Sequence, residues 1–131
     1  MRRKYVTILH QSISELDLVE NVKTIILVIW NLSFIKGNEH NIMKSKQLVE
    51  IIVSLFIDYE DQEVTFNCLD IITSLAKNLV LAEINLGKKL VKALFYSIRH
   101  TKLMTIYDES LECLRWLSLS TGNDEYLEDI S

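Results

Sequence analysis

The chain has 131 residues, with 14 Lys and Arg against 18 Asp and Glu and a formal net charge of −4. That length suits a single domain spanning 1–131, and the acidic balance gives the chain as a whole no electrostatic footprint for nucleic acid. Proline is absent and glycine stands only at Gly37, Gly87 and Gly122, so a fold of many short strands and tight turns is excluded and an all-α fold is expected.

The chain opens on Arg2, Arg3 and Lys4, but His10, Gln11, Ser12 and Ser14 break up the apolar stretch a signal sequence would need. An intracellular protein is expected. From Arg3 onward, Tyr5, Val6, Ile8 and Leu9 carry the apolar pattern of a helix that returns twice later in the chain. Asp17 with Glu20 then forms a capping-box pattern before the first long helix. Within that helix Ile25 to Trp30 is apolar almost all round, which calls for cover on several sides. It is also the longest apolar run, far short of the roughly 20 residues a membrane span needs.

Next, Gly37 is placed to end the helix in a left-handed conformation, with Asn38 after it as a cap for the following one. A medium-length helix over Lys46 to Ile52 leads into the acidic turn from Asp58 to Asp61, and Asp61 can cap a helix beginning near Gln62. Lys88 to Leu94 repeats the medium helix, and Leu111 to Ser118 repeats the long one. Gly122 and Asn123 then match Gly37 and Asn38, and a short helix over Asp124 to Ile130 closes the chain.

These similarities form a register. With Asn31, Ser74 and Trp116 aligned, at spacings of 43 and 42 residues, the apolar columns are Ile26, Leu69, Leu111; Ile29, Ile72, Leu114; and Leu32, Leu75, Leu117. Val28, Ile71 and Cys113 fill the adjacent column, and Cys68 shares one with Ile25. Two cysteines without a CxxC pair make neither a disulfide framework nor a zinc site, so both are expected as buried thiols. Ser33, Ala76 and Ser118 form a small column near the helix ends. The result is about three repeats of roughly 42 residues, each combining short, medium and long helices.

Trp30-Asn31-Leu32-Ser33 followed by Gly37-Asn38-Glu39 resembles the end of the long helix in armadillo repeats, and the likeness covers nearly the whole chain. More narrowly, Ile25 to Phe56, Cys68 to Leu81, and Leu111 to Ser118 with Gly122-Asn123-Asp124 resemble, in the same order, the C-terminal armadillo-like region of the large ARID-bearing, Osa-type subunit of SWI/SNF chromatin remodellers. The resemblance implies a non-catalytic scaffold acting in transcription regulation in the nucleus, with other remodeller subunits as partners and with DNA contact left to a separate domain. A general armadillo or HEAT adaptor in trafficking, import or cytoskeletal assembly is the alternative. Since no polar capping repeat is apparent at either end, the expectation is a fragment of a longer solenoid, with self-association through the uncapped repeats.

No nucleophile elbow, phosphate loop or cofactor signature occurs, so neither catalytic nor cofactor-binding residues are expected. His10, His40 and His100 lack companions at metal-ligand spacing. The pairs Glu60 with Asp61 and Asp108 with Glu109 are read as helix-start acids that favour the positive end of the dipole. Trp30 and Trp116 flank the apolar columns and are expected to pack between repeats. The asparagine ladder by which import receptors hold extended peptides is broken, because Leu27 stands where Asn31 needs a Trp and Ser74 and Trp116 replace further asparagines. That leaves a basic group as the candidate partner-binding surface: Lys88, Lys89, Lys92 and Arg99, of which Lys88, Lys92 and Arg99 share one helix face. Its counterpart would be an acidic segment.

Overall fold

The computed structural model describes residues 20–128, which hold helices α1 (20–33), α2 (Asn38–Met43), α3 (Lys46–Asp58), α4 (Gln62–Ala76), α5 (Gly87–His100), α6 (Met104–Leu117) and α7 (Asp124–Glu128). Single 3-10 turns stand at Leu81–Glu83 and Thr121–Asn123, and there is no strand among the described residues. The chain is therefore all-helical. The helical pattern at Tyr5 to Leu9, the cap at Asp17, His10 and the last residues of the closing helix lie outside the described residues.

Two helix starts carry side-chain caps, of which that of Asp61 is the expected one. The Ser45 hydroxyl accepts from the Leu48 amide at 3.2 Å to start α3, and Asp61 accepts from the Val64 amide at 3.1 Å to start α4. Asp61 also pairs with Lys23 at 3.1 Å, tying α1 to the beginning of α4. The Val64 amide and the Lys23 ammonium hold the Asp61 carboxyl below its ordinary range.

The two Gly-Asn turns differ from expectation. Gly37 does adopt the left-handed region, at φ 93°, but Asn38 caps backwards: its side-chain amide donates to the Leu32 carbonyl at 3.0 Å, satisfying the end of α1. Gly122 has no positive φ; it sits inside the 3-10 turn, so the equivalence of the two glycines in sequence does not extend to their backbone. What the two turns share is the asparagine. Asn123 donates to the Leu117 carbonyl at 2.9 Å, the bond Asn38 makes to Leu32 85 residues earlier.

Helix α4 forms the centre, packing against α3 on one side and α6 on the other, while α5 packs on α6. Helices α4 and α6 start 42 residues apart, and α3 and α5 start 41 apart. In α4 every apolar column is buried: Cys68, Leu69, Ile71, Ile72 and Leu75. The flanking copies are buried on one side only. In α6 Cys113 and Leu117 are buried while Leu111 is exposed; in α1 Ile26 is buried while Ile25, Val28 and Leu32 are exposed. The expected all-round cover of Ile25 to Trp30 is thus not met among the described residues. Among the described residues the middle copy has a neighbour on each side, and each flanking copy has one.

Two long-range contacts lock the copies together. Asn123, fully buried, accepts from the Leu81 amide at 2.8 Å and donates to the Leu79 carbonyl at 2.9 Å in addition to its bond to Leu117. One side chain therefore joins the end of α6 to the loop after α4. Gly87 starts α5 so close to that loop that a Cβ would lie 2.6 Å from the Leu81 carbonyl oxygen. Only glycine permits this approach.

Candidate functional site

Where α1, α4 and α6 lie side by side, their polar residues meet in an open cleft of about 360 Å³ lined by Ser33, Phe34, Asp70, Thr73, Ser74, Lys77, Glu112 and Trp116. The indole N–H of Trp30 crosses from α1 to donate to the Asp70 carboxylate at 2.6 Å. Phe34 stands edge-on to Trp30, ring centroids 5.0 Å apart, and is itself exposed. On the far wall Trp116 donates to Glu112 at 2.8 Å, and Glu112 also pairs with Arg115 at 3.1 Å. Lys77 lies 5.0 Å and Arg115 4.7 Å from the Trp116 ring centre, a cation–π arrangement.

Both tryptophans pack on the core, as the sequence suggests, but each is only partly buried and turns its N–H toward an acid of this cleft. A buried or half-buried indole needs an acceptor for its N–H, and the acids supply it. The signal available in sequence was the recurrence of Asp70 and Glu112 at positions four before Ser74 and Trp116, one turn away on the same helix face.

Glu109 departs from the reading as a helix-start acid. Helix α6 begins at Met104, so Glu109 lies beyond its first turn, half-buried beside Asp70 and Thr73. Burial, then the hydrogen bond and charge of Asp70, push its carboxyl up to about 7. Asp108, likewise beyond the first turn of α6, is exposed and does not serve as a helix-start acid either, whereas Asp61 is the cap of α4.

The basic group is exposed along α5. Lys89 and Lys92 line a groove of about 470 Å³ with Phe56, Ile57, Thr65 and Tyr96, between the end of α3 and α5. Lys88 and Arg99 do not line it. The Arg99 guanidinium lies 6.0 Å from the Phe95 ring centre. Among the described residues Lys88, Lys89 and Lys92 form no ion pair, since the two that occur there involve Lys23 and Arg115. The four residues thus divide between the groove and the open surface of α5. The expected thiols are in the core: burial pushes both Cys68 and Cys113 up to about 12, leaving neither as a nucleophile at neutral pH.

Compared with models of protein families, with curated proteins and with solved structures, the chain shows no match.

Proposed function

We propose that this chain is a non-catalytic, armadillo-like scaffold that holds a segment of a partner protein in the cleft across α1, α4 and α6. The observation that carries the reading is the cleft itself, in which three long helices related by the repeat bring aromatic and acidic side chains to one open surface. Its recognition chemistry is an exposed Phe34, the two indoles and the carboxylates of Asp70 and Glu112. An asparagine ladder is not the means, because Ser74 turns its hydroxyl back to the Ile71 carbonyl at 2.6 Å and Trp116 holds the next equivalent position. A partner segment with apolar and cationic side chains suits such a surface.

The finer form of the proposal is a scaffold module of a SWI/SNF-type chromatin remodeller, resting on the resemblance of the three stretches from Ile25 to Asp124. Affinity capture from nuclear extract, with the wild-type chain and with Ser74→Arg placed on the exposed floor of the cleft, tests both forms. The cleft reading expects Ser74→Arg to lose the captured partners with the melting temperature unchanged; equal capture by both proteins rejects it. Recovery of remodeller subunits by the wild type supports the finer form, and recovery of other partners alone rejects that form.

A further inference from the structure

The groove of about 470 Å³ that Lys89 and Lys92 line runs into a second of about 480 Å³, because the two share Thr65, Tyr96 and Ser97. Together they form one groove along α5, from Lys89 to Thr101, where that helix passes the α3–α4 turn. At about 1.5 Å of rise per helical residue, Lys89 and His100 stand roughly 16 Å apart. The two ends differ in charge. Lys89 and Lys92 are exposed at one end and, among the described residues, form no ion pair. Glu60 and Asp61 stand at the other; Asp61 is taken up by the Val64 amide and Lys23, whereas Glu60 is exposed and in no ion pair among the described residues. Arg99 and Lys102, close to that end in sequence, line neither stretch. The dipole of α5 runs in the same sense, with its positive end beside the lysines and its carbonyl end at His100. Between the ends, Tyr96 is 64% exposed and stacks on His100, ring centroids 4.3 Å apart. The half-buried Thr65 and Ser97 flank it, and the Thr65 hydroxyl makes only a long bond of 3.4 Å to the Tyr59 carbonyl.

We infer that this groove binds an extended partner segment with acidic side chains at one end, cationic side chains at the other and an apolar one between them. The acids meet Lys89 and Lys92, the apolar side chain lies on Tyr96, and the cations meet Glu60. An amphipathic helix would need a continuous apolar floor. Here the apolar surface is split, with Phe56 and Ile57 near the lysines and Leu103 and Ile106 near the acids, and the hydroxyls between them suit the carbonyls of an extended backbone. At about 3.3 Å per extended residue, a span of roughly 16 Å sets the partner's charged ends about five residues apart. Opposite charges at the two ends fix the direction of the segment and disfavour one of uniform charge. The groove shares no lining residue with the cleft across α1, α4 and α6, and the inference does not depend on what binds there.

Fluorescence anisotropy of the full chain at low salt tests it, with a labelled peptide of about seven residues that carries paired aspartates at one end, a central leucine and paired arginines at the other. The peptide is made in both chain directions. One direction is expected to bind at least about fivefold more tightly than an all-acidic peptide of the same length. Lys92→Glu and Glu60→Lys should each weaken the two-signed peptide at least about fivefold with the melting temperature unchanged, and Glu60→Lys should tighten the all-acidic one. If a reversal lowers the melting temperature, Lys92→Gln or Glu60→Gln replaces it, with a loss of about twofold expected. Ser74→Arg, in the cleft, should change nothing. No binding in either direction up to about 1 mM overturns the inference, as does binding that neither end's substitution weakens. Equal binding of the all-acidic peptide overturns it too, by making the site a receptor for acids alone, and so does loss of binding in Ser74→Arg, which assigns the peptide to the cleft.

Discussion

Replacing Asn123 with Ala removes three hydrogen bonds and leaves the Leu81 amide and the Leu79 and Leu117 carbonyls without their partner. All three residues are 0–2% exposed, so water cannot readily replace the lost groups. A buried polar group left unpaired costs about 1–3 kcal/mol, and with partial relaxation of the loop the total comes to about 4 kcal/mol. That is a large share of the roughly 5–15 kcal/mol that stabilises a typical domain. Asn38→Ala is the natural control. It loses the equivalent bond to Leu32, but at a more accessible site and without the two further bonds, so less than about 1 kcal/mol is expected. Equilibrium urea unfolding of the wild type and both variants reads the difference directly, with a common slope showing that the same surface is exposed in each. Asn123→Asp adds a second control, because it keeps an acceptor for the Leu81 amide but sets an oxygen against two carbonyls; at neutral pH it should cost at least as much as Ala. If Asn123→Ala costs no more than Asn38→Ala, the asparagine does not join the copies and the reasoning fails.

Ser110 is fully buried and its hydroxyl makes no hydrogen bond to a described residue, so Ser110→Ala should leave stability unchanged or raise it by up to about 1 kcal/mol in the same unfolding assay. For Glu109, an ordinary value of 4.5 rises to about 7 in the folded chain. The folded state then holds more protons than the unfolded one between those limits, so stability falls as pH rises from about 4.5 to 7. Glu109→Gln should flatten that fall and raise the melting temperature at pH 8 relative to the wild type, as followed by circular dichroism across the range. Reversing Lys88 and Lys92 to Glu should leave the melting temperature unchanged, since neither forms an ion pair among the described residues. The same variant abolishes partner capture only if the outer face of α5 takes an acidic segment.

The parts of the fold set by local chemistry were legible in the sequence. The cap at Asp61, the stop at Gly37, the apolar columns of α4 and the burial of Cys68 and Cys113 each follow from residues close in the chain. Contacts between copies were not. Asn123 resembles Asn38 in its neighbours, yet its bonds to Leu79 and Leu81 depend on a loop 42 to 44 residues earlier. Glu109 looked like a helix-start acid until Asp70 and Thr73 of α4 came to face it. The tryptophans were read correctly as packing residues, but the direction of each N–H depends on where an acceptor lies. Trp116 finds its own within one helical turn, whereas Trp30 finds it 40 residues away.

If the surface across α1, α4 and α6 holds the proposed partner, hydrogen exchange of the chain alone and in the captured complex will show protection gained at the ends of the three long helices, around residues 30–34, 70–77 and 112–116, with the outer face of α5 unchanged. Protection confined to α5 around Lys88 to Arg99, or no gain along the cleft, would contradict it.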